Sequence, residues 1–452
     1  MLQRLATALT RWSTQYVPDS WIIAVILTFI TFLLALVAAP GAPTPAKVYT
    51  LIQHWGNGFW VLLEFAMQMS LIIVTGYVLS TSPPVRRLLN WLAGLPRNPR
   101  EAVALTALVS MVLAWINWGL SLIASAVLVR AVARRQRGVD YGLLVCCAYL
   151  GLGGMWHSGL SGSAPLLVAT PRHFMEQQMG IVPVTSTIFT PFNLGLAAVV
   201  LVVWTGLAAL LHPRPEDTVE VDPALLAEPA VEEAGRKPAA TFAERVYYSP
   251  VVNLAVAAVA IVWLIYNFGT RGFGGININS VNFLFLTLGI LLHWTPASFL
   301  KSAAEASSYI WGVVIQFPFY AGMFGIIRDS GLAKVIADWF TAIATPATYP
   351  VIIYWYSGIL NYFVPSGGSK WAIEAPYVVE AAKNVGVSMP AAVISYAWGD
   401  MATDVIQPFW AIPLLGVTKV EFRHIVGYGL IFFAVFAIIT TVAFLLAPLF
   451  LG

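Results

Sequence analysis

Four short stretches place helix-breaking residues inside apolar runs of this chain. They are NWG at 117–119 and SGLSGSAP at 158–165 in the first half, and NYFVPSGGS at 361–369 and DMATDVIQP at 400–408 in the second. Asn117 and Pro165 are 48 residues apart, and Asn361 and Pro408 are 47 apart. Irregular backbone at membrane depth is tolerated only where it is buried in protein or lines a cavity. A matched pair of breaks, one in each half, is typical of the binding site of a secondary transporter built from repeats.

The overall composition indicates a membrane protein. Of the 452 residues, 59% are apolar and only 10% are charged, and the mean hydropathy is +0.79. A soluble domain carries about 25% charged residues. The net charge of +3 is too small to suggest a nucleic-acid partner. The adjacent Cys146 and Cys147 stand in an apolar run, and we interpret them as small buried residues.

Clusters of arginine assign the sides of the membrane. Residues 81–100 and 130–140 carry four arginines each, so both segments are predicted to be cytoplasmic. The apolar run between them then has to leave and return on the same side. This predicts a re-entrant hairpin over 101–129, with Asn117 near its tip. We call it hairpin 1.

The same reasoning predicts an all-α polytopic membrane protein with two inverted repeats, about nine crossings and two opposed hairpins. An extra span between the halves reverses the starting side of the second repeat. The N-terminus is predicted to be cytoplasmic and the C-terminus external. The predicted segments are an amphipathic N-terminus (1–20), the first repeat (21–211) with its broken helix (141–175), a cytoplasmic linker (212–248), a connecting span (249–270), and the second repeat (276–450) with hairpin 2 (350–383) and a broken helix (390–415).

The second break carries carboxylates at membrane depth. Asp400, Thr403, Asp404 and Gln407 would share one face if the stretch were helical. Each carboxylate there costs roughly 2.5–3.5 kcal/mol on insertion scales, which favours a functional role. We predict cation coupling through Asp400, Thr403 and Asp404, either by oxygen coordination or by proton binding. The alternative is a buried polar network that satisfies the broken backbone.

The tip of hairpin 2 is predicted to bind an anion. Ser366, Gly367, Gly368 and Ser369 offer small side chains and free amides at a helix start, where carboxylates bind well. Lys370 could add a positive charge to the substrate site. It could also reach a membrane surface or pair with Glu374 one turn on.

The first half offers hydroxyl and amide groups without a carboxylate. Ser158 and Asn117 are candidates for cation coupling, and Ser161 and Ser163 for substrate binding. The alternative role for these small residues is helix packing. His157 is interpreted as an interior histidine with satisfied hydrogen bonds rather than a proton relay.

A rival motif is present in the same stretch. Residues 159–162 match the G-x-S-G pattern of intramembrane serine proteases, with Ser161 as the nucleophile and His173, His293 or His424 as the base. A protease would leave the second polar segment and the repeat unexplained.

Seven motifs spread over nearly the whole chain look familiar. They are WGNGFW (55–60), MQM (67–69), INWG (116–119), GSAPL (162–166), QFPFYAG (316–322), VPSGG (364–368) and QPFWAIP (407–413). Through these motifs the chain resembles the short-chain fatty acid transporter family. Members of that family can carry a histidine where this chain has Lys370 and an amide where it has Asp404.

The resemblance implies uptake of butyrate-like or acetoacetate-like monocarboxylates in symport with Na⁺ or H⁺ across the bacterial inner membrane. The family is similar to the wider ion-transporter superfamily, and this further resemblance implies a homodimer with elevator-like scaffold and transport domains. No cofactor is expected other than Na⁺ as a coupling ion, placed near Asn117, Ser161, Asn361 and Thr403. A dicarboxylate or other organic anion is the alternative substrate.

Overall fold

The computed structural model describes residues 20–226 and 241–451, which contain helices and no β-strand. The predicted all-α polytopic class is confirmed. Apart from Ser20, the predicted amphipathic N-terminal segment lies outside the described residues, and so do residues 227–240 of the predicted linker.

The described residues of the first half contain ten α-helices. They are α1 (Ser20–Ala38), α2 (Pro45–Gly58), α3 (Leu63–Thr81), α4 (Pro83–Leu92), α5 (Pro99–Ile116), α6 (Trp118–Arg135), α7 (Tyr141–Gly154), α8 (Ser163–Val168), α9 (Glu176–Met179) and α10 (Pro191–Leu211).

In the described part of the connection to the second half there are two short α-helices and one long α-helix. They are α11 (Pro223–Leu226), α12 (Phe242–Tyr247) and α13 (Val251–Arg271). The second half then contains α14 (Ile278–His293), α15 (Pro296–Ser307), α16 (Trp311–Asp329), α17 (Leu332–Ile343), α18 (Tyr349–Phe363), α19 (Gly367–Val385), α20 (Met389–Ala402), α21 (Ile412–Thr418) and α22 (Val426–Leu446).

Several of these helices could cross a bilayer. Seven helical stretches among the described residues are long and apolar enough, and the number is eight if the bent pair α15 and α16 counts as one span. One of the seven is α5, which is an arm of hairpin 1. The count of nine crossings, the inverted orientation of the repeats and the elevator division remain predictions.

Each half contains a helical hairpin whose arms run side by side. In hairpin 1 the hydroxyl of Ser121 on α6 donates to the carbonyl of Ser110 on α5 at 2.7 Å. In hairpin 2 the hydroxyl of Tyr349 on α18 donates to the carbonyl of Val378 on α19 at 2.6 Å. The observed arms cover 99–135 and 349–385 and so extend beyond the predicted bounds at both ends. The first helix of each hairpin begins earlier because proline stands in its first turn, and in hairpin 1 Asn98 also caps that helix.

A broken helix packs closely against each hairpin. Gly151 of α7 leaves no room for a Cβ beside the carbonyl of Ser110, and Gly399 of α20 is equally close to the carbonyl of Tyr354. In the second half the hydroxyl of Ser357 also donates to the carbonyl of Tyr396 at 3.0 Å. Only glycine permits this approach, so the breaks that follow α7 and α20 lie beside the hairpin tips.

Candidate functional site

The two breaks meet in the interior, although they are far apart in sequence. Nδ1 of His157 lies 2.8 Å from Oδ2 of Asp400, a residue 243 positions away. The indole N–H of Trp156 donates to Oδ2 of Asp404 at 3.0 Å, across 248 positions. Each bond joins the first break to the second, so the polar residues of the two halves form one cluster.

His157 is a neutral histidine with both ring nitrogens occupied. Its Nε2 accepts a hydrogen bond from the backbone N–H of Ala164 at 3.1 Å. An N–H group can only donate, so Nε2 carries no proton and Nδ1 must donate to Asp400. The side chain is fully buried. The arrangement agrees with the interpretation of an interior histidine with satisfied bonds.

Lys370 is a buried cation held by protein groups. Its Nζ donates to the carbonyl of Ser357 at 3.0 Å and to the Ser357 hydroxyl at 2.5 Å. It also lies 3.1 Å from Oε1 of Glu374, 3.2 Å from Oδ1 of Asp400 and 4.3 Å from the ring centre of Tyr396. The Glu374 pairing is one of the roles predicted for this lysine. The ammonium is turned toward these groups, and Lys370 is not on the wall of the cavity described below.

The carboxylate of Asp404 is bonded only to neutral donors. Asn361 donates through Nδ2 to Oδ1 of Asp404 at 2.8 Å and to the hydroxyl of Thr403 at 3.2 Å. Helix α20 ends at Ala402, so Asp400 and Asp404 do not share a continuous helical face as the spacing suggested. Asp404 makes no ion pair with any described residue, in contrast to Asp400.

The candidates of the first half mainly hold the backbone. Asn117 caps α6 by accepting from the N–H of Leu120 at 2.9 Å, and the hydroxyl of Ser161 accepts from the N–H of Trp118 at 2.9 Å. The hydroxyl of Ser158 donates to the carbonyl of Met155 at 2.7 Å. The structure brings Asn117 next to Ser161, and Asn361 next to Thr403. None of these four residues lies on the wall of the small cavity described next.

A small cavity of about 40 Å³ lies between the two hairpin tips. We call it the tip cavity. Polar groups come from Ser163 at the start of α8 and from the tip of hairpin 2, and the rest of the wall consists of three tryptophans and five other apolar side chains. The residues of its wall are Met69, Ile73, Trp118, Leu152, Trp156, Ser163, Val313, Phe317, Ser366, Gly367, Gly368 and Trp410.

The tip of hairpin 2 presents free backbone donors to this cavity. Ser366 precedes the first residue of α19 but makes no capping bond to its first turn, and its hydroxyl donates instead to that of Ser369 at 2.9 Å. The first N–H groups of a helix have no acceptor within the helix. For Gly367 and Gly368, no acceptor is present elsewhere among the described residues either. Hairpin 1 differs, because Asn117 caps its second helix.

A larger cavity of about 230 Å³ adjoins the tip cavity. We call it the apolar compartment. Five residues line both spaces: Ile73, Val313, Phe317, Ser366 and Trp410. The remaining wall is mostly aromatic and aliphatic, and its polar groups belong to Ser308, Tyr309, Gln316 and Tyr320. Among the residues that the structure describes, no lysine, arginine or histidine lines either space.

The comparisons with known proteins identify the family. The chain matches the family model for short chain fatty acid transporters over residues 1–447. It is 38% identical over 428 residues to an Escherichia coli (strain K12) protein named "Putative short-chain fatty acid transporter", covering 95% of this chain and 96% of that one. A Haemophilus influenzae protein of the same name is 35% identical over 435 residues, with coverages of 95% and 96%. The chain belongs to the short-chain fatty acid transporter family. The resemblance carried by its motifs is confirmed.

Two solved structures share the fold of the transporter. Neisseria gonorrhoeae MtrF, described within a class of antimetabolite efflux pumps, has a TM-score of 0.59 at 15% identity, covering 98% of this chain and 97% of MtrF. The YdaH transporter of Alcanivorax borkumensis has a TM-score of 0.57 at 14% identity, covering 94% of this chain and 98% of YdaH. Both likenesses concern the fold. Together with the apolar helices, the family makes this protein a multi-pass membrane transporter.

The protease motif finds no support in the geometry of the transporter. Ser161 is bonded to the backbone N–H of Trp118, and its hydroxyl donates to the carbonyl of Ala114 at 3.4 Å. His173 is bonded to backbone groups of residues 175 and 180, and His293 to Ser298 and the carbonyl of Val78. No described histidine is hydrogen-bonded to Ser161, as a serine nucleophile and its base would be.

Sequence reasoning missed the aromatic residues of this site. Trp156 links the two breaks through Asp404, and Trp410 donates to the carbonyl of Pro365 at 2.6 Å, which fixes the tip of hairpin 2. Their positions beside the breaks, in WHS and QPFWAIP, were the available signals. A cluster of three or more metal-binding side chains is absent from the described residues.

Proposed function

We propose that this protein is a symporter that moves short-chain monocarboxylates across the bacterial inner membrane together with a cation. The observation that carries the proposal is the uncapped first turn of α19 at the tip cavity. Membership of the short-chain fatty acid transporter family supports the choice of substrate.

The substrate carboxylate would bind at the tip of hairpin 2. Free N–H groups at a helix start bind anions, because the donors point at the ligand and the helix dipole adds positive potential. Gly367 and Gly368 supply such donors, and the hydroxyls of Ser366 and Ser163 lie on the same wall. The polar atoms are few, as expected for a small anionic head group.

The acyl chain would occupy the apolar compartment. Ile73, Val313 and Phe317 form the passage between the two spaces, and each is at least nine-tenths buried. Burying a methylene group contributes about 0.8 kcal/mol. A molecule with one charged end and a short hydrocarbon tail therefore matches the division into a polar tip cavity and an apolar compartment.

The charge of the walls favours one carboxylate over two. A second carboxylate buried in the apolar compartment would need a cationic or hydrogen-bonding partner. No described cationic side chain lines the apolar compartment, and the nearby Lys370 is already bonded to Ser357, Glu374 and Asp400. A dicarboxylate or another organic anion is therefore the weaker candidate for the substrate.

An excess of buried negative charge favours a co-transported cation. Glu374, Asp400 and Asp404 are buried carboxyls, Lys370 is the one cation paired with any of them, and His157 is neutral. If the three carboxyls are ionised, two negative charges lack a compensating cation among the described residues, and an incoming substrate adds a third. A cation bound near Asp404 and Thr403 would offset part of this charge. The carboxylate of Asp404 and the hydroxyl of Thr403 are oxygen ligands that suit Na⁺, and the carboxylate alone could bind H⁺.

Uptake into proteoliposomes tests this function. Labelled butyrate would be offered with a Na⁺ gradient, a pH gradient or neither. We expect accumulation with one of the two gradients and none without, and labelled succinate should accumulate poorly. If neither gradient drives accumulation of any short-chain acid, the proposal is wrong. We also propose that the protein is a homodimer and not an enzyme, so purified protein should leave substrate chemically unchanged.

A further inference from the structure

Three indole rings form part of the wall of the tip cavity, and two of their N–H groups already have protein acceptors. The N–H of Trp156 donates to Asp404 at 3.0 Å, and that of Trp410 donates to the carbonyl of Pro365 at 2.6 Å. The N–H of Trp118 is buried and has no acceptor among the described residues. A buried indole N–H usually finds a partner, so this one indicates a missing acceptor.

Trp118 is held in place independently of its N–H. It is the first residue of α6, and its backbone N–H donates to the hydroxyl of Ser161 at 2.9 Å. Its ring packs edge-on against Trp410 at 5.3 Å and Trp156 at 6.3 Å between ring centres, and only 7% of the residue is exposed. The orientation of the donor is therefore fixed before any ligand arrives.

Other buried indoles show what distinguishes Trp118. The N–H groups of Trp55, Trp204 and Trp371 also lack an acceptor among the described residues. None of those three lies on the wall of the tip cavity. In Trp118 an unpartnered donor, a fixed ring and the cavity of the hairpin tips occur together.

We propose that the indole N–H of Trp118 donates a hydrogen bond to the carboxylate of the substrate. This inference rests on the proposed function and adds a ligand from the first repeat. Hairpin 1 cannot offer the uncapped helix start that hairpin 2 offers, because Asn117 occupies the N–H of Leu120. One oxygen of the carboxylate is bound by the amides of Gly367 and Gly368, and the other accepts from Trp118.

Solute counterflow in proteoliposomes, with equal Na⁺ concentration and pH on both sides, tests the proposal, because exchange of labelled for unlabelled butyrate needs no gradient of the coupling ion. Trp118→Phe keeps an aromatic ring and removes the N–H. We expect its KM for butyrate to rise about 10-fold with the maximal rate retained, since a hydrogen bond to a charged group is lost in the bound state. Acetate and acetoacetate should show the same rise, because the carboxylate is common to all three.

Trp204→Phe is the matched control. Its N–H is likewise buried without an acceptor, but its ring packs against Phe432 and Phe436 away from the tip cavity. Its KM should equal that of the unmodified protein. If Trp118→Phe does not fold, benzothienylalanine at position 118 replaces only the N–H by sulfur and should give the same rise.

The possible outcomes separate this proposal from the proposed function. Exchange by the unmodified protein with an unchanged KM in the position-118 variants would overturn the role of Trp118 alone. A rise confined to acetoacetate would also overturn it, because the acceptor would then be the keto oxygen. Absence of exchange of any short-chain acid by the unmodified protein would refute the proposed function, and this inference with it.

Discussion

Replacing Lys370 by methionine should strongly destabilise the protein. The ammonium lies 3.1 Å from Glu374 and 3.2 Å from Asp400, and all three side chains are fully buried. Methionine fills a similar volume but leaves two carboxylates without their cation. Removing one partner of a buried ion pair costs about 3–5 kcal/mol, because the remaining charge cannot be solvated. Loss of the bonds to Ser357 adds to this cost.

The chain contains a matched control with the same spacing. Lys334 pairs with Asp338 at 2.8 Å, also four residues apart on a helix, but these side chains are 66% and 56% exposed. An exposed pair of this kind contributes about 0.3–0.5 kcal/mol. Lys334→Met should therefore have nearly the stability of the unmodified protein.

Unfolding by SDS in mixed micelles measures the difference, with size-exclusion chromatography as a check of the folded state. The double variant Lys370→Met/Glu374→Leu should recover part of the loss, because it removes one uncompensated carboxylate. The argument from buried charge is wrong if Lys370→Met lowers the free energy of unfolding no more than Lys334→Met does. It is also wrong if the double variant is less stable than Lys370→Met alone.

Two further substitutions test the tip cavity and the apolar compartment. In Gly367→Ala the new Cβ would lie 2.5 Å from Oδ2 of Asp400. We therefore expect a loss of about 1–3 kcal/mol in the free energy of unfolding and reduced butyrate counterflow. The control Gly416→Ala has open space at its Cβ and should not lower the free energy of unfolding; equal stability of the two variants would contradict the expected clash at Gly367. Val313→Phe should narrow the passage between the two cavities and lower butyrate exchange about 10-fold, while acetate exchange is retained. The control Val314→Phe changes a side chain that is 49% exposed and should leave the exchange of both acids unchanged. An equal loss of butyrate and acetate exchange in Val313→Phe would argue against an acyl chain in the apolar compartment.

Local sequence patterns anticipated part of the candidate site. The i, i+4 spacing of Lys370 and Glu374 made their pairing one of three alternatives for this lysine, because residues four apart on a helix face each other, and the structure contains that pair. The Pro-Ser-Gly-Gly stretch marked the start of a helix at membrane depth, and α19 begins at Gly367. Both features depend on residues close in the chain, so spacing was enough to infer them.

Other features could not be inferred from spacing. The sequence left open whether Lys370 faces the substrate, and only the packing of α20 against hairpin 2 brings Asp400 and Ser357 to its ammonium. Asp400 and Asp404 looked equivalent, yet the end of α20 at Ala402 separates them. One is paired with a cation and the other only with neutral donors.

The sequence by itself determined the class of the protein, the two hairpins with their adjoining breaks, and the family. Composition and helix breakers act locally, and the family motifs are contiguous stretches. The tertiary structure decided which polar groups meet, as in the bonds from Trp156 to Asp404 and from His157 to Asp400. A carboxylate accepts from any donor that comes within reach. Which donor arrives depends on helices packed together from opposite halves of the chain, and spacing along the sequence carries no information about that.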